Sequence, residues 1–213
     1  MTDPQQQFIA EHDARIEETH RIREALTKDL DELIDPVNKD HQGARRAFIR
    51  GMFALFEAMT YRMKASALAL GSAKLEPSEV LLLEEREFSL EDNGSLKQRS
   101  PKLRTLPNLR FTFAMLVKAS EIGWAPSYDG PGWAAVKESI LTRDRLTHPR
   151  TLADVTVSDE QMVSASKALM WFTATQVELL STIHEKQARD AGRAHVPLPG
   201  MAEISEMTEK NLY

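Results

Sequence analysis

The chain has no cysteine. That excludes disulfide staples, thiol nucleophiles and thiolate metal sites, and it fits a reducing, cytoplasmic setting. It also has no long apolar run free of charge. The most apolar stretch, AFIRGMFALFEAMTYRMKASALALG, carries Arg50, Glu57, Arg62 and Lys64, so a buried helix is expected there and no membrane span. The first residues, MTDPQQQFIAEHD, have neither a basic start nor an apolar run, and no signal peptide is expected. Net positive charge is lacking: 27 Lys and Arg stand against 32 Asp and Glu, for a net charge of −5. The chain as a whole has no attraction for nucleic acid or anionic membrane, so any such contact needs a local patch. There is no G-x-x-x-x-G-K-[ST]. GPGWAA at 130–135 follows no apolar strand and reads as a helix start rather than a dinucleotide loop. HEKQA at 184–188 has Ala188 where a zincin helix needs its second histidine, and the six histidines form no close pair with metal-ligand spacing. No metal and no cofactor is expected. Repeats and low-complexity tracts are absent, and the strand signals are too weak for a sheet.

The sequence does contain helical periodicity nearly throughout. With 213 residues, 42% apolar and 28% charged, the chain suits one domain with arms. Apolar residues at Ile9, Ile16, Ile22, Leu26, Leu30 and Leu33 mark a long amphipathic helix bounded by Pro36. A second helix, rich in Phe, Met and Leu, is expected over 44–69, ending near Gly71. A shorter one is expected over EPSEVLLLEERE with Pro77 in its first turn. Residues 91–107 read as a loop, with Asn93-Gly94 and Pro101 as turn signals. Further helices are expected from Asn108 to Gly123, from Pro131 to about His148, and from a Ser158/Gln161 capping box to Ala188. The expected fold is all-α: an antiparallel bundle of four to five main helices. It comprises an N-terminal arm (1–43), a helical core (44–188) and a loosely docked C-terminal tail (189–213).

One helix ends on RDRLTHPR, residues 143–150. Arginine followed by histidine five positions later is weak as a spacing, since random placement yields roughly 0.5 such pairs. Arg15 and His20 repeat it within the long first helix, where both belong on a solvated face. At Arg143 the context differs. Asp144 follows it, Leu146 continues the apolar face of Trp133, Val136 and Ile140, and His148 precedes Pro149, which steers it out of the α region. On an unbroken helix Arg143 and His148 point about 140° apart; a break at His148 lets the imidazole turn towards Arg143. Asp144, four residues before His148, can pair with it. The helix C-terminus and Asp144 favour imidazolium, while Arg143 and Arg145 oppose it, a balance suited to proton transfer near neutrality. One reading is a catalytic pair; the other is a C-capping histidine with a partner arginine.

RDRLTHP at the end of a late helix, together with FALFEAMTYR in the second helix, resembles the signature of the HEPN superfamily. There an arginine and a polar residue are followed, several positions on, by a histidine. The resemblance spans roughly Ala44 to Ala188. It implies a metal-independent endoribonuclease, a toxin or antiviral effector, that cleaves RNA (tRNA or mRNA) to 2′,3′-cyclic phosphate and 5′-OH ends. It further implies a homodimer whose two motifs share one cleft, and an antitoxin or defence-system protein as partner. Some toxins of the superfamily carry a modified tyrosine two positions after the histidine; Arg150 stands there in this chain. In this chemistry Arg143 holds phosphate oxygens, His148 moves protons, and Asp144 orients one or the other. Glu57, on a stripe with Arg50, Tyr61 and Lys64, is either a salt-bridged surface group or a neighbour of Arg143 in the cleft; Arg145 is a further cleft candidate. Lys97, Arg99, Lys102 and Arg104 form a basic loop able to meet RNA phosphates, or simply a solvated one. The alternatives to cleavage are a HEPN-like module that binds nucleotide or RNA, and a helical protein-interaction module.

Overall fold

The computed structural model describes residues 4–34 and 41–192. It is mostly helical, with six α-helices among the described residues: α1 (Pro4–Ile34), α2 (Gln42–Gly71), α3 (Pro77–Leu83), α4 (Thr105–Ser120), α5 (Pro131–Thr147) and α6 (Asp159–Asp190). Short 3-10 turns occupy Ser72–Lys74 and Leu152–Val155. The side chains of Ile9 and Ile16 lie outside what is described, as does most of the expected tail, from residue 193 on. No described helix is long and apolar enough to cross a membrane.

A two-stranded antiparallel hairpin, β1 (Glu87–Leu90) and β2 (Leu96–Arg99), replaces part of the expected loop and shortens the expected third helix. Leu90 faces Leu96 and Glu87 faces Arg99. The turn follows from Asn93-Gly94. Gly94 takes φ +80°, which glycine adopts without strain, and Asn93 Oδ1 accepts the Ser95 amide at 2.9 Å. The strands escape a periodicity reading because each is four residues long and almost wholly exposed, so no alternation of burial marks them.

The described residues fall into two compact units. One holds those up to Arg62 and those from Glu138 to Ser166; the other holds Met63 to Lys137 and those from Lys167 on. In the first, Phe48, Ile49, Met52, Phe53, Leu55, Phe56 and Met59 are all buried. Their spacing of three and four places them along one side of α2. Leu30 of α1 is buried against Gly51, where a β-carbon would stand 3.3 Å from Leu30 Cδ2. Between Glu17 and Asp29 the described side chains of α1 are exposed, apart from half-buried Leu26.

The second unit is built on aromatic rings. Phe113 meets Trp124, Trp171 and Phe172, and Trp133 lies 5.1 Å from Trp171 and 4.9 Å from Tyr128. Arg110 stacks over Tyr128 at 4.5 Å, and burial pushes the Tyr128 phenol up to about 12. Two helix ends here use glutamate where glycine is usual: Glu85 (φ +54°) after α3 and Glu121 (φ +55°) after α4. After α3 the pattern is a Schellman motif, with Arg86 N donating to Leu81 O and Glu85 N to Leu82 O. Each left-handed glutamate meets a lysine: Glu85 binds the buried Lys64 at 2.9 Å, and Glu121 binds Lys74 at 2.6 Å.

Candidate functional site

The first unit carries an open cleft of about 630 Å³. α2 supplies Arg50, Phe53, Ala54 and Glu57; the end of α5 supplies Arg143, Asp144, Leu146, Thr147 and, just beyond, His148. The apolar code of each helix explains this lining. Phe53 and Leu146 are buried, so the polar residues spaced around them on the same helices are left at the rim.

Arg143 is held in the cleft by contacts from both helices. Its guanidinium lies 4.9 Å from the centre of the Phe53 ring. Its Nη2 and Nε donate to Asp144 Oδ1 at 2.8 and 3.1 Å, and Nη1 reaches Glu57 Oε1 at 3.4 Å. The side chain is 25% exposed, so it is held on a ring face yet still open to the cleft. Phe53 therefore serves two purposes: it fills the core, as expected of aromatic residues in this helix, and it seats the arginine.

The helix end that presents His148 is closed by identifiable bonds. His148 N donates to Asp144 O at 3.1 Å; the next residue is Pro149, which has no N–H to continue the ladder. Leu146 O is taken instead by Arg50 Nη2 at 3.1 Å, and Arg143 O by the Thr147 hydroxyl at 2.8 Å. The Leu146 carbonyl, which the helix terminus leaves without an intrahelical partner, is thus satisfied by a side chain, while the Thr147 hydroxyl adds a second donor to a carbonyl of the last full turn. The His148 imidazole is exposed and makes no side-chain hydrogen bond among the described residues. The expected pairing of Asp144 with His148 is not made. Asp144 goes to Arg143, a permanently charged neighbour one residue away, whose charge-assisted bond at 2.8 Å is the stronger choice.

The segment leaving His148 is held by the start of α2. Gln42 and the Val157 backbone exchange two bonds, at 3.0 and 2.8 Å. Arg45 donates to Val157 O at 2.9 Å and binds Asp159 at 2.6 Å; Arg46 donates to Val155 O at 2.9 Å. Within that segment the amides of Arg150 and Thr151, with the Thr151 hydroxyl, hold the Asp154 carboxyl below the usual carboxylate range. Gln42, Arg45 and Arg46 escaped the sequence reading. The available signal was an adjacent arginine pair in the opening turns of a helix. The helix dipole disfavours cations there, so a tertiary partner had to compensate.

The other candidates divide. Arg50 and Glu57 line the cleft with Arg143, Asp144 and His148. Tyr61 is 67% exposed and does not line it. Lys64, assigned to the same stripe, is instead buried at 1% exposure and paired with Glu85. Arg145 turns away from the cleft towards Ala153 O at 3.4 Å, with its Nη2 enclosed and unpartnered among the described residues. Only Asp144 separates Arg143 from Arg145, and two steps of 100° send them to different faces. Lys97 and Arg99 are strand residues of β2, not loop residues, and Arg99 is bound to Glu91 at 3.0 Å. Lys97, Lys102 and Arg104 are exposed. Among the described residues no group of three His, Cys, Asp or Glu stands ready to hold a metal ion. No protein-family model, curated protein or solved structure matches this chain.

Proposed function

We propose that the protein is a metal-independent endoribonuclease of HEPN type, cleaving RNA by attack of the 2′-OH on the adjacent phosphate. The observation that carries this reading is the joint placement in one cleft of an exposed imidazole, His148, and a ring-seated guanidinium, Arg143. Transphosphorylation needs a cation for the extra charge of the phosphorane and a group that moves protons. Arginine meets the first need with a planar fork that matches two phosphate oxygens. His148 supplies the second. Arg50 adds positive charge while it caps α5. The 2′-OH requirement makes DNA inert. Exposed Lys97, Lys102 and Arg104 are proposed to meet RNA phosphates. Replacing all three by glutamine should then flatten the salt dependence of RNA binding, and an unchanged slope would remove them from the interface. A role as toxin or antiviral effector, a homodimeric state and a protein partner belong to the same proposal.

The test is incubation of cellular RNA with purified protein in excess EDTA, beside His148→Ala. The expected result is cleavage by the wild type to 2′,3′-cyclic phosphate and 5′-OH ends, lowered about 10²- to 10⁴-fold in the variant. Equal cleavage by both proteins would sink the assignment of His148. RNA binding without products would favour the second reading, a phosphate-binding module using the same Arg143.

A further inference from the structure

Resting on that reading, we propose that Glu57 is the general base of the reaction and His148 its general acid. A single chain then holds the complete acid–base pair. In-line displacement places the attacking 2′-oxygen and the departing 5′-oxygen on opposite sides of phosphorus, so one imidazole cannot serve both at once. Among the described residues His148 is the only histidine lining the cleft, and the lining groups able to accept a proton beside it are Glu57, Asp144 and Thr147. Thr147 is engaged with Arg143 O at 2.8 Å. Asp144 accepts two bonds from Arg143 on one oxygen, at 2.8 and 3.1 Å. Glu57 makes the longer contact, 3.4 Å, and its side chain is 67% exposed. It is therefore the carboxylate least committed to Arg143 and most open to substrate.

The placement also suits the geometry of the step. On α2, Arg50 bonds the Leu146 carbonyl while Glu57 reaches Arg143, so the two helices run past each other in opposite directions here. Glu57 lies seven residues beyond Arg50, about 10 Å along the helix. His148 lies beyond Leu146, at the Arg50 end. The carboxylate and the imidazole thus stand towards opposite ends of the cleft, with the Arg143 guanidinium between them. In the step, Glu57 takes the 2′-OH proton as the 2′-O–P bond forms. Arg143 holds the non-bridging oxygens. The P–O5′ bond breaks as His148, entering as imidazolium, gives its proton to O5′. Glu57 leaves the step protonated and His148 neutral, and solvent exchange resets both.

The experiment uses an RNA oligomer that the full chain cuts, and the same oligomer with sulfur in place of the bridging 5′-oxygen at the cut linkage. A thiolate leaves without being protonated, so the acid becomes dispensable while the base does not. His148→Ala is expected to lose about 10²- to 10⁴-fold on the oxygen substrate and to return to within about tenfold of wild type on the sulfur substrate. Glu57→Gln, which keeps an oxygen for Arg143, is expected to lose about 10²- to 10³-fold on both. An equimolar mixture of the two variants is expected to stay as inactive as either alone. The proposal is overturned if Glu57→Gln stays within about tenfold of wild type, if sulfur rescues it, or if the mixture regains activity, since base and acid would then come from different chains. In those three cases cleavage itself still stands; if the wild type cuts no RNA, the ribonuclease reading falls and takes this inference with it.

Discussion

Arg143→Ala should lower RNA cleavage by about 10²- to 10³-fold in kcat, the typical loss when a positioned donor to developing charge is removed. The loss should appear mainly in kcat, because the guanidinium meets the charge that grows in the transition state. Arg143→Lys should recover little, within about tenfold of the alanine variant. The native guanidinium stacks on Phe53 at 4.9 Å, bonds Asp144 through two nitrogens and reaches Glu57 through a third. An ammonium is a point charge with no plane to stack and no fork to share. Initial rates with a fluorogenic RNA check this. Full activity in Arg143→Lys would mean that charge alone suffices and that the ring seat is incidental. An unaltered rate in Arg143→Ala would remove the arginine from the mechanism. Because Arg143 is 25% exposed at the rim, the folded state should survive both changes, and the far-ultraviolet circular dichroism should not alter.

Glu85→Ala should destabilise the protein by about 3 kcal/mol, a fall in Tm of roughly 9 °C, although Glu85 does not line the cleft. The reason is its partner. Lys64 is 1% exposed and its Nζ is 2.9 Å from Glu85 Oε1, whereas the Glu85 side chain is 44% exposed. Removing the glutamate strands an ammonium inside the protein. Removing the lysine leaves a carboxylate that water can still reach. Lys64→Met, close in volume and apolar, should therefore change stability by no more than about 1 kcal/mol in either direction. Backbone strain adds a second discriminator. At φ +54° Glu85 carries the left-handed penalty of about 1 kcal/mol that glycine avoids. Glu85→Gly should thus be about 1 kcal/mol less harmful than Glu85→Ala. Urea titrations of the three variants read all of this. Equal losses from Lys64→Met and Glu85→Ala would refute the asymmetry.

How much of this could be read beforehand depended on the range of the interactions. Helices α2, α5 and α6 were legible because their apolar residues recur every three or four positions and their ends are marked locally; α4 was legible by its period, but it runs from Thr105 to Ser120 rather than from Asn108 to Gly123, with Pro107 accommodated in its first turn. Pro131 opens α5, Pro149 closes it, and Ser158 with Gln161 caps α6, the two exchanging bonds at 3.0 and 3.4 Å. The hairpin was not legible. Its turn chemistry stood in plain view at Asn93-Gly94, but its strands are short and exposed, and pairing between strands leaves no period in such a segment. The same contrast holds in the cleft. RDRLTHP marked Arg143, Asp144 and His148 because a helix, a proline and a charge pattern coincide within a few residues.

By itself, then, the sequence determined the helical class, the position where α5 stops, and which residues could do proton and phosphate chemistry. Only the tertiary structure decided their partners. It gave Asp144 to Arg143 rather than to His148, brought Glu57 and Phe53 to Arg143 from 86 and 90 residues away in sequence, and turned Arg145 and Tyr61 out of the cleft. It also used Arg45 and Arg46 to tie down the segment behind the histidine. Local propensity acts over about one helical turn, and the face a side chain presents follows from its own helix. Which of several nearby charges it then binds depends on distances set by the packing of Phe48, Met52, Phe56 and Leu146 against their neighbours, and no stretch of sequence contains those distances.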